Sequence, residues 1–119
     1  MTAIGNRNKA RGREFKVAVA EALREAGHIN ARPDLPVTIS QHLRSPGDIS
    51  GVPAVLAVCA SERLDLSTSL NEAACTAKYL GRPWYAAVLS RRGASVAQSY
   101  VVMDLATFGK LLHHVPEDD

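Results

Sequence analysis

Residues 47–60 read GDISGVPAVLAVCA, and the second half of that stretch decides the fold. Ala54 to Cys59 is a continuous apolar run of strand length, bounded by Pro53 and by the polar Ser61-Glu62-Arg63. Such a run reads as a strand buried on both faces, the kind a parallel sheet uses at its centre. Ahead of it, Gly47-Asp48 and Gly51 signal turns around a brief strand at Asp48-Ile49.

Working outward, the spacing predicts a helix over 67–80. Ser69-Leu70-Asn71-Glu72 has the form of a capping box, and Gly81 with Pro83 supplies the stop. WYAAVLS (84–90) is a second central strand, RRGAS (91–95) a turn, and QSYVVM (98–103) an antiparallel hairpin partner. Asp104 can cap a last helix over 105–114. Upstream, Phe15, Val19, Ala22, Leu23 and Ala26 form one stripe of a helix over 10–26, with Gly27 at its C′ position. ARPDLPVTIS (31–40) is a loop with a short edge strand at 37–39.

A strand–helix–strand crossover in this order favours a parallel pair. The expected architecture is therefore one α/β domain, a mixed β-sheet flanked by helices. A loose basic arm (1–8) precedes the domain proper (9–114), and an acidic tail (115–119) follows.

The chain has 119 residues, 46% of them hydrophobic and 22% charged, an ordinary globular composition. No apolar run approaches the roughly 20 residues of a bilayer span. The opening MTAIGNRNKARGR lacks the apolar segment of a secretory signal, which points to the cytoplasm and away from membranes. Cys59 and Cys75 form no metal knuckle and read as small buried hydrophobes. Adjacent His113 and His114 project in different directions from a helix, so no metal site is expected there.

Charge is unevenly spread. Residues 1–32 carry seven Lys/Arg against three Glu, a balance of +4, whereas residues 33–119 carry a balance of −2. A basic N-terminal segment on a near-neutral body suits contact with phosphates, and it equally suits a solvated leader.

Three stretches together carry a family resemblance: NKARGREFKVAVAEALREAGH (8–28), GDISGVPAVLAVCA (47–60) and AVLSRRG (87–93). They resemble the small PD-(D/E)xK nucleases, and more narrowly the Holliday junction resolvase-like proteins of actinobacterial phages. The likeness runs from about residue 8 to 112. It implies a restriction-endonuclease-like fold, a homodimer bridging two DNA arms, and a host bacterial cytoplasm as location. In active members Mg²⁺ polarises the phosphate and generates hydroxide from water. The family's Asp and Glu supply the hard oxygen ligands. A Lys two residues after the Glu shares its strand face and steadies developing charge.

Position by position, this pattern fails in the present chain. Asp48 matches the metal-binding Asp, but Val58 stands in place of the Glu and Ala60 in place of the Lys. Lys16, just after Phe15, occupies the place of a further Glu on the first helix. No Glu-x-Lys occurs in a nearby register: Glu62 is followed two residues later by Leu64. Glu14 lies about 100° around the helix from Phe15, and Glu21 is more than a turn from Lys16.

One carboxylate makes a poor Mg²⁺ site, and single electrostatic groups in such centres are worth roughly 10²–10³ in rate. The expectation is a pseudo-nuclease with no cofactor. Asp48 then has two readings: a remnant ligand, or a turn-former that caps backbone N–H groups. A salt bridge from Asp48 to Lys16 in place of a metal bridge is a specific expectation.

Two functions remain open. One is a non-cleaving DNA binder, on a junction or duplex, with Arg7, Lys9, Arg11, Arg13, Lys16, Arg91 and Arg92 neutralising phosphates. With three Tyr, one Trp and two Phe, the chain has few rings for stacking on single strands. The other is a protein-binding module that engages a host protein through Trp84, Tyr85 and the face around Val58. Residual metal-dependent cleavage is a third.

Overall fold

The computed structural model describes residues 3–35, 47–60 and 66–116, with side chains from residue 12 onward. Helix α1 (Ala3–Glu25) is followed by two short strands, β1 (Arg32–Pro33) and β2 (Ile49–Ser50), and by β3 (Val55–Cys59). Helix α2 (Leu66–Leu80) leads to β4 (Tyr85–Leu89). A 3₁₀ turn (Val96–Gln98), β5 (Tyr100–Val102) and α3 (Leu105–Leu112) complete the order.

β3 and β4 pair in parallel, with Val55 opposite Tyr85 and Cys59 opposite Leu89. β5 joins β4 antiparallel, with Val88 opposite Val101 and Leu89 opposite Tyr100. The expected crossover and hairpin are both present, in a three-stranded sheet of order β3-β4-β5. β1 and β2 form a separate antiparallel pair. The proposed strand at 37–39 lies outside the described residues.

Strand alternation divides the core into two layers. Leu56, Val58, Ala86 and Val88 pack with Val19 and Ala20 of α1. On the other face, Val55, Ala57 and Tyr85 pack against Ala73 and Ala77 of α2. The central run is thus covered on both sides, which is why it carries no polar residue.

Both longer helices stop as their glycines predict. His28 N bonds Leu23 O (2.9 Å) and Gly27 N bonds Arg24 O (3.1 Å) around Gly27 at φ +112°. Arg82 N bonds Ala77 O (2.8 Å) and Gly81 N bonds Lys78 O (3.2 Å) around Gly81 at φ +68°. These are paired 6→1 and 5→2 closures, which satisfy the last carbonyls of each helix.

Three expectations need correction. Helix α1 begins at Ala3, well before residue 10, so backbone 3–8 is helical and not a loose arm; periodicity marks the part of a helix that is packed, not its full length. Ser69 is no cap, because α2 begins at Leu66. Ser69 Oγ instead accepts from Cys59 Sγ at 3.4 Å. Cys75 is exposed and Cys59 half-buried; position 75 lies about 200° around the helix from the buried Ala73. No described helix is long and apolar enough to cross a membrane.

Candidate functional site

Gly47 brings the chain against β3. Its φ is +113°, and a Cβ there would lie 3.2 Å from Leu56 O and 3.1 Å from Val55 Cγ1. Glycine is the residue that tolerates both conditions. Asp48 N then donates to Leu56 O at 2.9 Å, which sets Asp48 beside the middle of the strand.

From there the carboxylate uses both oxygens. Oδ2 accepts the Val58 N–H at 2.7 Å, and Oδ1 lies 2.9 Å from Lys16 Nζ. Lys16 Nζ also donates to Asp34 O at 3.2 Å, and Asp34 N donates to Asp48 O at 2.9 Å. The Lys16 and Asp48 side chains are 21% and 32% exposed, so solvent screens the pair only in part.

The structure therefore brings positions 16, 48 and 58 together from α1, the turn before β2, and β3. Ala60 follows β3, and its carbonyl accepts from Ser90 Oγ at 3.5 Å. Sequence reading did not single out Asp34. Its part is played by backbone atoms, and a side-chain motif carries no signal of that.

The donor set does not fit a divalent metal. One Asp48 oxygen faces an ammonium and the other a backbone N–H, while Val58 and Ala60 offer no ligand atoms. A cavity of about 570 Å³ between Asp48 and α2 adds one further acid to its lining, Glu72. No group of three His, Cys, Asp or Glu suited to a metal occurs among the described residues. The arrangement holds charge and backbone in place.

Arg91 and Arg92 stand at the end of the sheet where the parallel strands finish. Ser90 N bonds Cys59 O at 3.1 Å, so Arg91 and Arg92 leave β4 beside the end of β3, a few residues beyond Val58. Both are exposed, as is Arg13, one turn before Lys16 on α1. Arg91 lies with its Cζ 5.2 Å from the centre of the Tyr100 ring. Arg7, Lys9 and Arg11 belong to α1, with side chains outside the described set. The carboxyl ends of parallel strands are where open α/β sheets take ligands.

Trp84 and Tyr85 are half-buried and engaged internally. The Trp84 and His114 rings meet edge-to-face at 5.2 Å and 82°. Tyr85 donates its hydroxyl to Asp104 Oδ2. Asp104 Oδ1 accepts from Thr107 N at 2.7 Å as the N-cap of α3. The Tyr85 hydroxyl, followed by the Thr107 N–H, holds the Asp104 carboxyl below its ordinary pKa. Val58 packs against the core and offers little surface. Exposed apolar residues of this region lie on β5, with Val101 (59% exposed), and on α3, with Leu105 (82% exposed), Phe108, Leu111, Leu112 and, past its end, Val115.

No protein-family model matches the chain, and no curated protein or solved structure does so either.

Proposed function

We propose that the chain is a catalytically inactive member of the PD-(D/E)xK nucleases, akin to the Holliday junction resolvase-like phage proteins, that binds DNA without cutting it. The observation that supports this best is the Lys16–Asp48 ion pair. At the place where the resemblance implies a metal between two acids, an ammonium takes the cation's position and neutralises the remaining carboxylate. Val58 and Ala60 avoid the cost of unpaired buried charge. Arg13, Arg91 and Arg92 would neutralise phosphates in a sequence-independent, salt-sensitive way, and Arg7, Lys9 and Arg11 would add to that charge.

A second reading rests on a separate observation. Leu105, Phe108, Leu112 and Val115 follow a 3-4-3 spacing on an exposed face, and exposed apolar patches of this kind mark contacts with proteins. The spacing is the same in both directions. An antiparallel two-fold pair would set Leu105 opposite Val115 and Phe108 opposite Leu112, so a second copy of this chain suits the stripe. On this reading the homodimer meets through α3, and a host protein is the competing occupant.

The deciding experiment titrates purified protein against labelled four-way junction and linear duplex DNA, at several salt concentrations and with Mn²⁺ present. Binding that weakens with salt, with no cleavage, is the expected result. Cleavage would overturn the inactive assignment. The absence of both at low salt would remove DNA and leave the protein-binding reading.

A further inference from the structure

We infer that Tyr100 is a stacking platform for an unpaired nucleobase, with Arg91 and Arg92 as its phosphate-facing neighbours. This rests on the DNA-binding reading and specifies which nucleotides the surface takes. Three observations carry it.

First, Tyr100 is 53% exposed on β5, the outer strand of the described three-stranded sheet. About half of the residue is therefore open to a ligand. Second, the Arg91 guanidinium lies over the ring, 5.2 Å from its centre. Such a contact steadies the ring and sets positive charge against one face, so a base would stack on the other. Third, the pair stands at the end of the sheet that also presents Arg92, since Leu89 is opposite Tyr100 and the turn begins just beyond it. An aromatic face beside a guanidinium, next to a second cation, is the combination by which proteins hold single-stranded nucleic acid.

The chemistry selects the substrate class. Bases in continuous duplex already stack on each other and expose no π-face, so Tyr100 gains nothing from them. A base in a single strand, a gap or a branch point has a free face. The preferred ligand is therefore DNA with unpaired nucleotides, bound more tightly than intact duplex of equal length.

The test compares the wild-type protein, Tyr100→Ala and Tyr100→Phe on three probes at one salt concentration. These are a single-stranded oligonucleotide, a gapped duplex with 2-aminopurine in the gap, and an intact duplex. Thermal melts establish that each variant is folded. Tyr100→Ala is expected to weaken binding to the single strand and the gap by roughly 5- to 150-fold, the range of one lost base–aromatic stack. Duplex binding should stay unchanged, and Tyr100→Phe should retain both affinity and quenching of 2-aminopurine. If Tyr100→Ala lowers all three affinities equally or none of them, the stacking role is wrong while DNA binding stands. If the wild-type protein binds none of the probes, the DNA-binding reading fails, and the stacking role with it.

Discussion

Lys16 Nζ and Asp48 Oδ1 stand 2.9 Å apart, while the other carboxylate oxygen accepts Val58 N–H at 2.7 Å. One acid thus ties the first helix to the central strand through the turn that precedes β2. A charge in this place acts as a structural clamp.

The clamp has a measurable worth. Asp48→Ala removes a charge-assisted hydrogen bond and leaves Val58 N–H and Lys16 without that partner, a loss of about 1.5–3 kcal/mol. Lys16→Met should cost less, since the pair is partly screened. A double-mutant cycle in urea should give a coupling of roughly 1 kcal/mol. Additive effects within error would mean that the two side chains do not interact in solution.

Gly51 should tolerate no side chain. Its φ is +80°, and a Cβ there would stand 1.9 Å from Asn30 O, a backbone atom with no room to retreat. Left-handed backbone and overpacking together predict that Gly51→Ala destabilises by about 2–5 kcal/mol. A chemical-denaturation midpoint equal to wild type would refute this packing.

Acid should loosen α3 first. The Asp104 carboxyl is held below its ordinary pKa by Tyr85 and Thr107, so its contribution is present above the unfolded carboxylate range. It is lost as pH falls through the lower folded value. Hydrogen exchange at Phe108–Leu111 should accelerate there before it does in β3 and β4. Asp104→Asn should flatten that dependence, whereas uniform protection across the sheet and α3 on acidification would speak against it.

Salt dependence should report the two turn arginines. If Arg91 and Arg92 each neutralise one phosphate, Arg91→Ala and Arg92→Ala should each lower the slope of log K against log salt by about 1. Slopes identical to wild type would place the phosphate contacts elsewhere.

Self-association should depend on the outer face of α3. Phe108 is 43% exposed, so Phe108→Glu leaves the core intact while placing a charge against the apolar Leu112 of the second copy. Sedimentation should show a dimer for wild type and a monomer for the variant. A wild-type monomer at high concentration would leave the stripe to another protein.

Much of the fold was legible because local rules and burial agreed. The apolar run Val55–Cys59 could only be a covered strand, and Gly27 and Gly81 ended their helices with the bonds that their positions implied. The chain also declared that positions 58 and 60 offer no side-chain ligand atoms, since Val and Ala have none in any fold.

What the chain could not declare depends on which atoms distant segments bring together. The start of α1 was misplaced because unpacked helix has no apolar period, and Cys75 because composition does not say which side of a helix faces the sheet. That Lys16 reaches Asp48, 32 positions away, was an expectation until the turn at Gly47 and the packing of α1 on Leu56 and Val58 put them in contact. Tyr100 owes its half-exposed place beside Arg91 to the edge of the sheet, which its own position in the sequence does not reveal. Sequence spacing sets what a residue can offer; long-range packing sets which partner receives it, because ion pairs and stacks depend on distances of a few ångströms between segments far apart in the chain.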